Sequence, residues 1–460
     1  MSRGAADTRA ADGSKAAGRG GGPRGLEARL LALAVVVVTA ASALLSLSQE
    51  LEPPTEALIF GGVLAGISVV AHLAVRSAAP DADPVLLPLT ILLNGLGLVF
   101  VRRVDLARES ELAVAQTLWT VVSVAFLCAV ILLIRRVDVL SRYQYTFGLA
   151  TLVLLVLPMV PGLTAGIING ARLWVRVAGM TLQPGELAKI TMVLFLAGYL
   201  ERKRALLSVA TQRVGPLLLP AARHLAPLLL ATGAALVIMA GLRDLGSALL
   251  FFGAFMAMLY VATGRLAYPA IGAAFFAVGS FAVYHLFGHV RVRFRIWIDP
   301  WDRVADEGYQ IAQSLFAFGT GGLTGTGLGF GRPQDIPFSE TDAIFAVVGE
   351  ELGLLGATAM LLAFLLLVVR GFKIALTARD EFATLLALGL TVIIGLQTFV
   401  IIGGLTRLVP LTGITLPFVS YGGSSLLSNF VLIALLLRIS DESRGAARSQ
   451  TSRRTVGARA

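Results

Sequence analysis

"SETDAIFAVVGEELGLLG", residues 339–356, begins with acids, turns apolar at Ala343 and still carries Glu350 and Glu351 further in. A carboxylate in hydrocarbon costs about 2.5–3.5 kcal/mol on insertion scales. Packing partners or chemistry must offset that cost. The rest of the chain shows that this stretch is a membrane span. Of 460 residues, 56% are hydrophobic and 14% charged. The mean hydropathy of +0.81 places the chain among membrane proteins.

Apolar stretches able to cross about 30 Å of hydrocarbon fall at 29–47, 57–76, 85–101, 113–134, 145–161, 185–200, 224–241, 244–263, 268–288, 343–369, 384–406 and 416–438. These twelve predict an all-α, polytopic membrane fold with both termini on one side. Charge chooses the side. The N-terminal tail, "RRVDVLSRY", "ERKRALLSVATQRVGPLLLPAARH", "RGFKIALTARDE" and the arginine-dotted C-terminal tail share one face, which is basic and hence cytoplasmic. The other face receives "QELEPPTE" and two long loops, 161–184 and 289–342. "RRVDLARESE", residues 102–111, runs against this trend with three arginines outside, offset by Asp105, Glu109 and Glu111.

The net charge of +10 is therefore read as topology and contact with anionic membrane lipids, not with nucleic acid. Residues 1–28 hold no apolar run and read as a disordered cytoplasmic tail, not a cleavable signal. The single cysteine, Cys128, excludes a disulfide within the chain and speaks against a cysteine metal site. His72, His224, His285 and His289 show no metal-ligand spacing and read as packing or helix-end residues.

Polar residues gather at the outer helix ends. Asp342 sits where the 289–342 loop enters a span, at or near an N-cap; a cap alone is worth about 0.5–2 kcal/mol. Glu350 lies about 80° around the helix and about 12 Å deeper, and Glu351 points to the opposite side. Both cannot face Asp342, so at least one serves bonding between helices. "GTGGLTGTGLGFG" (319–331) lacks the lysine of a phosphate loop. Its glycines suit either backbone approach to an anion or sugar, or a flexible hinge or tight packing among helices. Glu186 and Lys189 in "QPGELAK" share a helix face and can pair. Arg243 and Asp244 in "GLRDLGSALLFF", Arg172, Trp174 and Arg176 in "INGARLWVRV", and Ser420, Gly422 and Gly423 in "LPFVSYGGSSL" complete the set. So many polar clusters at outer helix ends imply a cavity opening outward.

Six strings in order, "NGARLW", "QPGELAKI", "DLGSALL", "GYQIAQSLFAFGTGGLTGTGLG", "ETDAIFAVVGEELGLLG" and "LPFVSYGGSSL", resemble the SEDS family, the RodA/FtsW/SpoVE polymerases of bacterial cell-wall synthesis. The resemblance implies a ten-helix core at 85–440 with its large outer loop at 289–342. Two additional helices lie in front (29–84), as in actinobacterial-type RodA homologues, and a disordered tail follows (441–460). It also implies an inverting glycosyltransferase that joins lipid II (undecaprenyl-pyrophosphoryl disaccharide-pentapeptide) into glycan strands at the outer face of the cytoplasmic membrane, in elongation or division.

The family's catalytic aspartate falls on Asp342, its loop tryptophan on Trp174, its glutamate and lysine on Glu186 and Lys189, and its other membrane-edge aspartate on Asp244. The family arginine before that tryptophan is replaced by Leu173, with Arg172 one position earlier. Gln313, Ser420, Gly422 and Gly423 lie in the matching strings and complete the expected substrate site.

A β1→4 bond made from an α-linked donor needs attack from the opposite face and a general base within about 3 Å of the acceptor hydroxyl. The expected base is Asp342. The departing diphosphate needs cations, with Arg172, Arg176, Lys189, Arg291, Arg293 and Arg295 as candidates. A divalent ion could share the work, although no carboxylate cluster shows metal spacing and no metal ligand is predicted. A class B penicillin-binding protein is the implied partner. A lipid II flippase and a non-catalytic scaffold are the alternatives; the absence of an internal repeat and the clustering of charge at outer ends favour the enzyme.

Overall fold

The computed structural model describes residues 23–50, 55–168, 170–177, 179–208, 212–214, 217–219 and 222–457. The helices used below are α1 Pro23–Ser48, α2 Thr55–Ala78, α3 Leu86–Arg108, α4 Leu112–Leu133, α5 Gln144–Val156, α6 Pro184–Ser208 and α7 Ala222–Gly241. They continue with α8 Leu245–Thr263, α9 Ala267–Leu286, α10 Gly288–Ile298, α11 Tyr309–Gly321, α12 Ile344–Leu376, α13 Glu381–Leu405 and α14 Gly423–Gly457. Two small hairpins, Val175–Val177 with Met180–Leu182 and Gln212–Val214 with Leu217–Leu219, are the sheet among the described residues. The protein is an all-α polytopic membrane protein.

Among the described residues nine helices are long and apolar enough to cross a membrane: α1–α4, α8, α9 and α12–α14. The remaining three expected intervals hold the shorter apolar helices Gln144–Met159 and Ala226–Gly241, and α6, whose end carries "ERKR". The centre of the bundle is α3, α13 and α14, whose apolar windows are 78%, 78% and 83% buried, against 6% for α9. α9 instead turns Phe275, Val278, Phe281 and Leu286 outward, as hydrocarbon allows. The central helices carry the buried polar residues Asn94, Arg103, Gln397 and Asn429, each of which needs a protein partner once water is gone.

Four expectations change. The first helix begins at Pro23, not after residue 28, since proline suits the first helical position. Glu27 on it is buried against Arg24 and, at 2.7 Å, His72 Nδ1. Residues 1–22 of the expected tail lie outside the described residues. At the other end α14 does not stop at 440 but runs to Gly457. Arg438 explains the first turns of that extension, donating to Ile131 O, Ile134 O and Ala78 O and pairing with Asp441 at 3.1 Å. Arg444 then pairs with Asp83. The expected outer loop 289–342 is not irregular throughout but carries two helices, α10 and α11. Finally, α12 is broken: Gly353 stands at φ 65°, splitting it into a short first part and a long second one.

Candidate active site

Asp342 lies just before α12, but the N-cap position belongs to Ala343, which offers no side-chain cap. The capping explanation for Asp342 therefore fails. Its segment is instead held from outside. Ser420 Oγ donates to Thr341 O at 2.6 Å and accepts from Leu416 N at 2.8 Å. Tyr421 N donates to Glu340 O at 2.8 Å, and the Glu340 carboxylate pairs with Arg108 at 2.9 Å. Ser420 thus fixes the backbone one residue before the acid.

Facing Asp342 is Arg293 of α10, whose Nη1 donates to Thr412 O at 2.8 Å. Gly413 separates the two; a methyl built there would lie 3.5 Å from both Arg293 Nη2 and Asp342 Oδ2. Its φ of 73° also favours glycine. Asp342 keeps a partly exposed surface yet is crowded by protein. Burial raises its carboxyl to about 6, against the lowering effects of the Thr341 hydroxyl and Arg293. Burial in turn pushes the Arg293 guanidinium down, while Asp342 and Asp244 oppose this.

A polar line continues inward from there. Asp244 caps α8 through Ser247 N at 3.0 Å and is buried, which raises its carboxyl. Beyond it, buried Glu186 and Lys189 pair at 2.7 Å as the spacing predicts. Lys189 also donates to Gln397 Oε1 at 2.9 Å, and Ser428 Oγ donates to Glu186 at 3.1 Å. Gln397 Nε2 completes the tie by donating to Thr415 O at 2.7 Å. Lys189 is consequently occupied with protein partners.

The other expected residues are placed less centrally. Arg172 is exposed, and it is Leu173 that lines the recess beside Asp244 with Leu155, Pro158 and Gln183. That recess, about 10 Å³, holds no more than one water. Trp174 is half-buried, its carbonyl accepting from Ala165 N at 2.9 Å. Gln313 on α11 is half-buried. Arg291 and Arg295 are exposed on α10, about 160–200° around the helix from Arg293. Gly422 donates its amide to Gln116 Oε1 at 3.2 Å, and a methyl on Gly423 would strike the Trp119 ring at 2.2 Å. A cavity of about 410 Å³ lies at the opposite end of the bundle, lined by Asp81, Arg136, Arg379, Asp441 and Glu442.

The glycine run packs; it does not cradle an anion. Thr326 N and Gly327 N donate to Glu350 O and Glu351 O, each at 3.0 Å. Both glutamate side chains turn to this loop: Glu351 accepts from Gly329 N (3.0 Å) and Gly331 N (3.2 Å), and Glu350 from Arg332 N (3.1 Å). Arg103 of α3 pairs with Glu351 at 2.6 Å and bonds Gly331 O. The two inner acids of the opening stretch, Glu350 and Glu351, are thus stabilised by packing partners, and Glu340 by Arg108. No group of three His, Cys, Asp or Glu side chains able to hold a metal occurs among the described residues.

Fold and site together define a multi-spanning membrane protein with a crowded carboxylate, a facing arginine and a buried Lys–Glu pair near one end. The chain belongs to the FtsW/RodA/SpoVE family of cell cycle proteins, whose model matches residues 84–445. It is similar to the peptidoglycan glycosyltransferase RodA of Mycobacterium tuberculosis, 42% identical over 434 residues, covering 93% of this chain and 92% of that protein. A probable peptidoglycan glycosyltransferase FtsW of Geobacter metallireducens is 37% identical over 69% of this chain and 83% of its own. A solved structure concerning the coordination of polymerization and crosslinking by a peptidoglycan synthase complex aligns at a TM-score of 0.55. It is 27% identical, covering 84% of this chain and 97% of that one.

Proposed function

We propose that this protein is an inverting peptidoglycan glycosyltransferase that polymerises lipid II at the outer membrane face, with Asp342 as general base. The carrying observation is Asp342 itself: off the helix, not its cap, crowded, and held at about 6 beside Arg293. In that range a carboxylate is a better proton acceptor than an ordinary aspartate and is still ionised at neutral pH. The acceptor hydroxyl gives its proton to Asp342 as its oxygen attacks the donor's anomeric carbon, and the bond to the diphosphate breaks. Arg293, the arginine already facing the acid, stabilises the negative charge that collects on the leaving group. Lys189 acts by holding the floor of the site through Glu186 and Gln397.

Two further points support the reading. The three arginines of 102–111 that argued against an outer location each have an acid partner: Arg102 with Glu56, Arg103 with Glu351 and Arg108 with Glu340. The pairs hold these arginines against the protein, while the proposed orientation rests on the larger number of basic residues at the opposite face. The RodA relative covers more of this chain than the FtsW relative, which favours a role in elongation. The partner we propose is a class B penicillin-binding protein, on the strength of the synthase-complex likeness.

The test is purified protein with fluorescent lipid II, with and without a co-purified partner. Polymer from the parent and at least about a 100-fold loss in Asp342→Asn is the expected result. Equal polymer from both would remove Asp342 as base. Translocation across liposomes without polymer would replace the enzyme by a carrier.

A further inference from the structure

The helices α1 and α2 precede the segment 84–445 that the family model matches, and the reaction proposed above assigns them nothing. Their contacts do. α1 is anchored near its start, where Arg24 donates to Pro80 O at 3.1 Å and also bonds Ala82 O. It then runs along α3 and delivers its last residues to the glycine loop between α11 and α12. There Gln49 Nε2 donates to Gly329 O at 2.6 Å.

Gly329 receives α1 closely. Its φ is 95°, and a methyl built on it would stand 2.0 Å from Ser48 Oγ and 3.1 Å from Gln49 Nε2. The same residue is tied on its other side, its amide donating to Glu351 Oε2 at 3.0 Å. Gly329 is therefore the joint between α1 and the Arg103–Glu351 clamp. From the clamp the path to the acid is short. Glu350 holds Arg332 N, Arg108 holds Ile336 O at 2.6 Å and the Glu340 carboxylate, and Asp342 follows.

We propose that α1 is a brace for the active-site loop, with Gln49 a positioning residue that locks segment 322–340, and so Asp342, in register through Gly329. The inference rests on Asp342 being the base, and its test separates the two.

The experiment uses the full-length protein in lipid nanodiscs and compares the parent with Gln49→Ala and Gln49→Glu. Gln49→Glu keeps the length of the side chain but sets an acceptor against the Gly329 carbonyl. Three readouts are taken: the melting temperature, amide hydrogen exchange of peptides covering 322–340, and kcat and KM for lipid II polymerisation. The expected result is faster exchange in 322–340 and a fall in kcat of about 3–30-fold. KM should stay within about twofold and the melting temperature near the parent's, as for removal of one half-buried hydrogen bond. Gly329→Ala, strained and obstructed at the same joint, should raise exchange in 322–340 and lower kcat further, with a fall in melting temperature of its own.

Unchanged exchange and unchanged kcat in both Gln49 variants would overturn the brace. So would a loss of activity tracking melting temperature alone, with 322–340 as protected as in the parent. Exchange does not depend on activity. If the parent made no polymer, the glycosyltransferase reading would fall while the exchange result still decided the brace.

Discussion

Asp342 is costly to the fold in the ionised form that the proposed reaction requires. With its carboxyl raised to about 6, the folded protein prefers the acid protonated, whereas the unfolded chain ionises it near 4. Its contribution to stability therefore falls as pH rises from about 4 through 6. Asp342→Asn removes that cost, so at pH 7.5 its melting temperature should exceed the parent's, and the difference should vanish near pH 4; thermal scans at both values check this. Gly413 makes a second prediction at this scale. Gly413→Ala sets a methyl 3.5 Å from both the acid and Arg293, at a φ of 73°. That distance is ordinary contact, so the strain of a side chain in left-handed backbone is what shifts the segment, and activity should drop about tenfold if Asp342 is the base. Asp342 stood out in the sequence because its neighbours carry a recognisable string. Gly413 did not, because its meaning is a meeting of residues 293 and 342 that no local spacing encodes.

The element that decides most is the glycine loop clamped to the first part of α12. Its glycines allow backbone to lie on backbone: a methyl on Gly325 would sit 2.1 Å from Glu351 O, and one on Gly353 2.2 Å from Gly325 N. Glu351 and Arg103 are both buried, so removing one partner leaves an uncompensated charge worth about 3–5 kcal/mol. Glu351→Gln should therefore cause a large loss of melting temperature, and the double change Arg103→Met with Glu351→Leu should recover part of it. No recovery would mean that the pair sets the loop's conformation as well as its charge balance. In sequence the loop read as an anion cradle or as a hinge or packing segment, and in the structure it packs, giving amides to Glu350 and Glu351. The helix α10 was harder to read. "RVRFRIW" alternates with a period of two, the pattern of a strand. As a helix it sends Arg293 inward and leaves Arg291 and Arg295 exposed.

For the molecule as a whole, hydropathy located the apolar helices found among the described residues, because backbone in hydrocarbon has few alternatives. It misjudged the ends, where ion pairs decide: α14 continues past 440 because Arg438, Asp441 and Arg444 dock on the turns after α2 and α4. The Glu186–Lys189 pair was legible from its spacing of three, whereas its tie to Gln397, 208 residues away, was not. The central claim is that one ionised carboxylate of raised pKa takes the acceptor's proton. The most direct measurement is the initial rate of lipid II polymerisation against pH in the reconstituted parent. Because the base must be ionised, the rate should climb tenfold per pH unit below about 6 and level off above about 7. A rate flat from pH 5 to pH 8, with chemistry limiting, would contradict the account.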